Sequence, residues 1–202
     1  MKIARIISYI LHPVLMPLLG ILIIFNSGIY LSDVPFEFKR MVYAIVLLCT
    51  LVLPLTILPA LYFFRMINEI TIDERRQRLI PLFFSAICFY MAYYLVGRFS
   101  SVQLVNSFLF AGVVVVMVIL FISLVWKISI HMAGIGGIVA LIGILSVGFT
   151  IDMTFFLCTA ILLAGIIGTA RLALNTHSFL QVLSGFLVGL LLVCGLMLNT
   201  IY

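Results

Sequence analysis

The stretch 168–185, GTARLALNTHSFLQVLSG, carries the two side chains best suited to chemistry, Arg171 and His177. A guanidinium clamps an oxyanion with two parallel N–H donors, and a neutral imidazole can attack one. On a helix of ~3.6 residues per turn, positions six apart point well away from each other, so convergence requires a turn between them. Asn175 tolerates the left-handed conformation that ends helices, and Thr176 can cap a new one. The expectation is helix, short turn, helix, with Arg171 and His177 at the joint. A plain polar turn, with a snorkelling arginine and an interfacial histidine, fits the same spacing.

The elements that must position these residues are membrane helices. The chain has 202 residues, of which 66% are hydrophobic and only 8% charged, with a mean hydropathy of +1.42. Soluble domains are about 25% charged, which excludes a water-facing surface. The charges fence off uncharged runs at 6–32, 41–64, 79–97, 99–126, 128–151, 153–170 and 172–202. A helix crosses the hydrocarbon core in ~20 residues, and strand-like alternation is absent. The sequence therefore reads as an all-α polytopic transmembrane helix bundle of six or seven spans, a single membrane domain over 1–202.

The expected spans are roughly 6–30, 41–64, 80–97, 103–126, 132–150, 153–170 and 179–200. Pro13 and Pro17 should kink the first, although its first eleven residues could instead lie in the interface as an amphipathic helix. His12 reads as structural or interfacial. Gly134, Gly136 and Gly137 open the fifth span and predict close packing inside the bundle. Cys49, Cys88, Cys158 and Cys194 sit singly in different spans and read as small apolar residues. The net charge of +5 calls for no nucleic-acid partner in such a chain. It fits orientation in the membrane or attraction to anionic lipid groups.

Counting crossings puts three polar segments on one side. The loop 65–78, RMINEITIDERRQR, follows span two; Lys127, Ser129 and His131 follow span four; Arg171 and His177 follow span six. Charges near membrane depth are costly and tend to be functional. Together these segments supply several arginines, a lysine, a serine and two histidines. That inventory holds a tetrahedral oxyanion and transfers it, with one imidazole as nucleophile and another as general acid. No acidic cluster suggests Mg²⁺, so the expected chemistry is phosphoryl transfer without metal or other cofactor. On the last helix, His177, Gln181, Gly185 and Gly189 recur every four residues, and the glycine pair marks a packed face, so His177 should point into the bundle.

These residues resemble the type 2 phosphatidic acid phosphatase (PAP2) superfamily, whose motifs are K-x6-R-P, P-S-G-H and S-R-x5-H-x3-D. Ala170, Arg171, His177 and Gln181 match the third in spacing, and Ser129 and His131 match part of the second. Arg75, Arg76 and Arg78, with Pro81 three places on, match the first loosely. The resemblance covers a motif-bearing core of about 65–190. It implies an integral, multi-pass protein of a bacterial inner (cell) membrane acting on a lipid phosphate, either phosphatidic-acid-like or polyprenyl. In that scheme His177 attacks phosphorus to form a phosphohistidine and His131 protonates the leaving alkoxide. Arg171, Ser129 and one or more of Arg75, Arg76 and Arg78 bind the phosphoryl oxygens.

Lys127 has no motif position; it reads equally as a phosphate ligand or an interfacial lysine. Gln181 replaces the family's aspartate: a Gln carbonyl can orient the ring but adds no charge to stabilise imidazolium. Asp73 or Glu74 could compensate, or simply pair with neighbouring arginines. A lipid phosphotransferase using the same site, and a non-catalytic binder or transporter of anionic lipid, are the competing functions. Once the candidate phosphate ligands are set aside, three basic residues remain on each side, so charge does not orient the chain.

Overall fold

The computed structural model describes residues 2–65, 76–99 and 102–201. Seven of its helical stretches are long and apolar enough to cross a membrane, and no strand occurs among the described residues. The chain is a polytopic all-α bundle.

The first span is broken rather than kinked. Helix α1 (Lys2–Ile10) stops short of His12, a 3₁₀ turn covers Pro13–Leu15, and α2 runs Met16–Asn26. Proline disfavours the α conformation in the residue before it, and His12 is accordingly extended at φ −68°, ψ 137°.

The second span starts earlier than 41. Pro35 stands ahead of α3 (Phe36–Val46), so half of the expected loop is helical. A π-helical segment, Leu47–Val52, leads into α4 (Leu53–Phe63). Pro54 lacks an N–H and its ring crowds the carbonyl four residues back, and the wider π turn accommodates it.

The remaining spans are α5 (Leu79–Phe99), α6 (Gln103–Val125), α7 (Ile130–Gly148), α8 (Thr154–Ala173) and α9 (Phe179–Ile201). Helix α7 is the axis of the bundle: 67% of its apolar stretch is buried, against 44% or less in every other span. It packs against α2 and α8, and most extensively against α9. Glycines from both partners make that interface. A Cβ at Gly185 would strike the Ser129 carbonyl, one at Gly189 the Ala133 carbonyl, and one at Gly136 the Phe186 carbonyl. In lipid the hydrophobic effect does not press helices together, so such backbone proximity supplies the packing energy. Helix α1 leans on α8, and α5 and α9 pack on α6. Cys49, Cys88, Cys158 and Cys194 are all free.

Candidate functional site

The joint between α8 and α9 forms as helix, turn, helix. Asn175 adopts φ 53° and its N–H donates to Leu172 O at 2.9 Å, closing α8. The cap of α9 is Ser178, not Thr176. Thr176 Oγ1 donates back to Arg171 O at 3.1 Å. Ser178 Oγ accepts from Gln181 N at 3.4 Å, and Gln181 Oε1 accepts from Ser178 N at 3.2 Å. This reciprocal pair is a capping box of the S-x-x-Q form. Gln181 thus has a structural reason to be Gln.

The same Gln181 oxygen lies 3.1 Å from His177 Nδ1. An atom that accepts from a backbone N–H is the carbonyl end of the amide, so Nδ1 carries the proton and donates. That leaves Nε2 as the lone-pair nitrogen of a neutral imidazole. Burial pushes His177 down to about 4, with the Arg78 and Arg171 charges adding to the effect and Lys127 contributing a little more; the Gln181 hydrogen bond works the other way. His177 is only 7% exposed.

Two other elements meet this joint. Arg78 closes the 3₁₀ turn Arg76–Arg78 before α5; its Nη1 donates to Ile128 O at 3.4 Å, tying the arginine loop to the start of α7. Ser129 N donates to Gln181 O at 3.2 Å, so the α7 N-terminus is fastened to the first turn of α9.

His131 lies in the first turn of α7, and its Nε2–H donates to Ser8 O at 3.1 Å. Arg171, in the last turn of α8 where the helix dipole favours a cation, reaches Ser8 Oγ with Nη1 at 3.5 Å. One residue of α1 therefore touches both. The His12 ring stands edge-on to His131, with centroids 5.5 Å apart. His12 Nδ1 accepts from Val14 N at 3.4 Å, which leaves Nε2–H as its donor.

These groups line one cavity of about 480 Å³, within the range of small-ligand sites. One part is basic, with Arg5, His12, Arg78, His131, Arg171 and His177, and no Asp or Glu lines it among the described residues. Arg78 and Arg171 are 7% and 8% exposed. The other part is apolar, with Leu55, Leu58, Phe89, Phe108, Val116 and Val193. Such a space matches an amphiphile with an anionic head.

The cavity brings together four of the residues singled out by sequence: Arg78, His131, Arg171 and His177. Gln181 stands behind His177. Ser129 is fully buried beneath Gly185, outside the lining, and its hydroxyl has no hydrogen-bond partner among the described residues. Lys127 also lies outside the lining but close enough to act on His177 electrostatically. Only the backbone of Arg76 is described, and Arg75, Asp73 and Glu74 lie outside the described residues. Among the described residues no three His, Cys, Asp or Glu side chains are grouped to hold a metal ion.

Sequence reasoning missed the contribution of α1. Arg5 and Ser8 are three apart on α1, with His12 just past its end, on the side of the membrane that carries the other polar segments, which was the available signal.

The pH dependence of His177 has a definite sign. Its folded value lies below the ordinary 6.5, so the unfolded chain binds a proton more readily. The stability of the neutral site is complete above pH 6.5 and is lost progressively as pH falls towards about 4. Gln181→Glu keeps the capping box and sets a carboxylate beside Nδ1–H. The pKa of His177 then rises by about one unit or more, which NMR titration of the imidazole reads directly. An unmoved titration at unchanged stability would dissociate His177 from Gln181.

The chain matches no protein-family model, no curated protein and no solved structure.

Proposed function

We propose that this protein is a metal-independent lipid-phosphate phosphatase, as its motif resemblance to the PAP2 superfamily implies. The basic part of the cavity takes the phosphoryl head, and the apolar part takes hydrocarbon. The observation that carries the proposal is the proton placement on His177: Nδ1–H is held by Gln181, and the Nε2 lone pair belongs to a buried ring that stays neutral down to about pH 4.

In the reaction, His177 Nε2 bonds to phosphorus as the bond to the lipid oxygen breaks, and a proton from His131 goes to the departing alkoxide. Arg78 and Arg171 stabilise the charge on the phosphoryl oxygens. The phosphohistidine keeps its Nδ1 proton on the Gln181 carbonyl, which favours departure of nitrogen when water attacks phosphorus. The proton released by that water returns to His131, and inorganic phosphate and the starting imidazole result. His12 adds an Nε2–H donor to the same anion site.

Binding without turnover has one observation in its favour: the capping box accounts for Gln181 with no reference to catalysis. The two readings separate on phosphate release by purified protein from a panel of phosphatidic-acid-like and polyprenyl phosphates, with and without EDTA. Release insensitive to EDTA is the expected result. An EDTA-sensitive rate contradicts the metal-free reaction. Binding of vanadate with no release from any substrate leaves a lipid-phosphate binder.

A further inference from the structure

At the apolar end of the cavity the lining gives way to a close packing of aromatic ring against glycine. Arg78 at its basic part and Phe89 at its apolar part are eleven positions apart along the turn and helix α5, about 16 Å at 1.5 Å per residue. On α6 the lining runs from Ile119 down to Phe108, and on α2 it ends at Pro17. Just beyond, the two helices come close: the tip of the Phe108 ring sits over Gly20, where a Cβ would overlap ring atoms Cζ and Cε1. Phe108 is 6% exposed, so its ring is held within the core. Phe89 packs against α6 one helical turn away, its ring edge 3.6 Å from the position a Cβ would take at Gly112.

Taking the cavity as the lipid-phosphate site proposed above, we infer that it threads one hydrocarbon tail from the Arg78–Arg171–His177 end to Phe108, and that Phe108 on Gly20 sets the longest tail accepted. A tail that stops short of the ring lies extended among Leu55, Leu58, Val116 and Val193. A longer one must fold back or displace a packed ring, and overpacking of this kind costs enough to weaken binding about tenfold or more.

The test uses a ladder of n-alkyl phosphonates, which carry the anionic head and cannot be hydrolysed. Binding to full-length protein in bilayer nanodiscs is measured by displacement of one radiolabelled member, with concentrations expressed per lipid. Wild type holds similar affinity up to a limiting length and falls about tenfold or more beyond it. Phe108→Ala removes the ring and moves the limit to longer tails. Gly20→Ala leaves α2 a better helix but drives the ring towards the lining, moving the limit to shorter tails. This second variant decides the matter should Phe108→Ala fail to fold.

An affinity without a length limit, or a limit that stays put in a folded variant, overturns the inference and leaves the proposed phosphatase reaction standing. No binding of any phosphonate overturns both. A limit that moves as expected, in a protein that releases no phosphate from any ester, keeps the inference and removes the catalytic reading.

Discussion

In His177→Ala, phosphate release from a lipid phosphate falls by about 10³-fold or more, since removal of a covalent nucleophile leaves only the binding and electrostatic parts of the rate. The expectation rests on more than loss of one ring. Nδ1 is spoken for by Gln181, so Nε2 has no competing partner within the joint, and burial keeps it unprotonated at neutral pH. Neither of the other two histidines lining the basic part has Nε2 as its lone-pair nitrogen. His131 directs its Nε2–H at Ser8 O, and His12 has Nδ1 occupied by Val14 N–H.

The variant must be shown to fold, because His177 is buried and anchors Gln181; elution and thermal stability in detergent serve for that. A radiolabelled phosphoryl donor and rapid quench then give an acid-labile, alkali-stable label on wild type that is missing in the variant. A folded variant with an undiminished rate sinks the phosphohistidine. His177→Gln, which keeps a polar group at the joint, should be equally inactive.

The second large effect is on stability. Gly189→Leu places a branched side chain where even a Cβ would fall on the Ala133 carbonyl and approach Ala133 C and Cα, all of them backbone of α7. Backbone cannot rotate aside as a side-chain tip can, so α9 must move away from the axis of the bundle and open its whole glycine-lined seam. A cost of about 3 kcal/mol or more follows from overpacking, which for a chain of this size lowers the melting temperature by about 10 °C. Gly195→Leu is the matched control: it lies on the same helix with nothing within 4 Å of its Cβ position, and its melting temperature should stay near wild type. Equal behaviour of the two variants would mean that the α7–α9 seam is not where the bundle holds together.

Several features of the molecule were legible in the residues themselves. The seven spans follow from charge-free runs, because a charged side chain in hydrocarbon is expensive enough to mark span ends. The packed seam follows from glycine spacing, and the turn at Asn175 from its tolerance of positive φ.

What escaped has identifiable causes. Pro13 reads as a kink in one long helix. The added constraint on His12, which proline forces out of the helical region, breaks the span instead and swings α1 across the basic part of the cavity. The π segment before Pro54 leaves no compositional trace, since a single extra residue in a turn is a backbone adjustment. Gln181 drew notice for what it replaces, whereas its position three residues after Ser178 fixes its local role; a sequence motif for catalysis and one for capping overlap at the same side chain. Ser129 matched the spacing of a phosphate ligand. Its burial under Gly185 depends on which face α7 gives to α9, and that is decided by a partner helix fifty residues away.

The distribution of the cavity's walls along the chain has a consequence for biosynthesis. Arg5, Ser8 and His12 leave the ribosome well before His177, at the α8–α9 joint, and Val193 of α9. Until α9 is released, the glycine face of α7 has only lipid to meet, and the backbone proximity that substitutes for hydrophobic attraction cannot form. The cavity is therefore closed only when α9 docks and carries the α8–α9 joint into place. A chain lacking α9 would keep the apolar helices before it and insert, yet would hold its arginines and α1 around nothing.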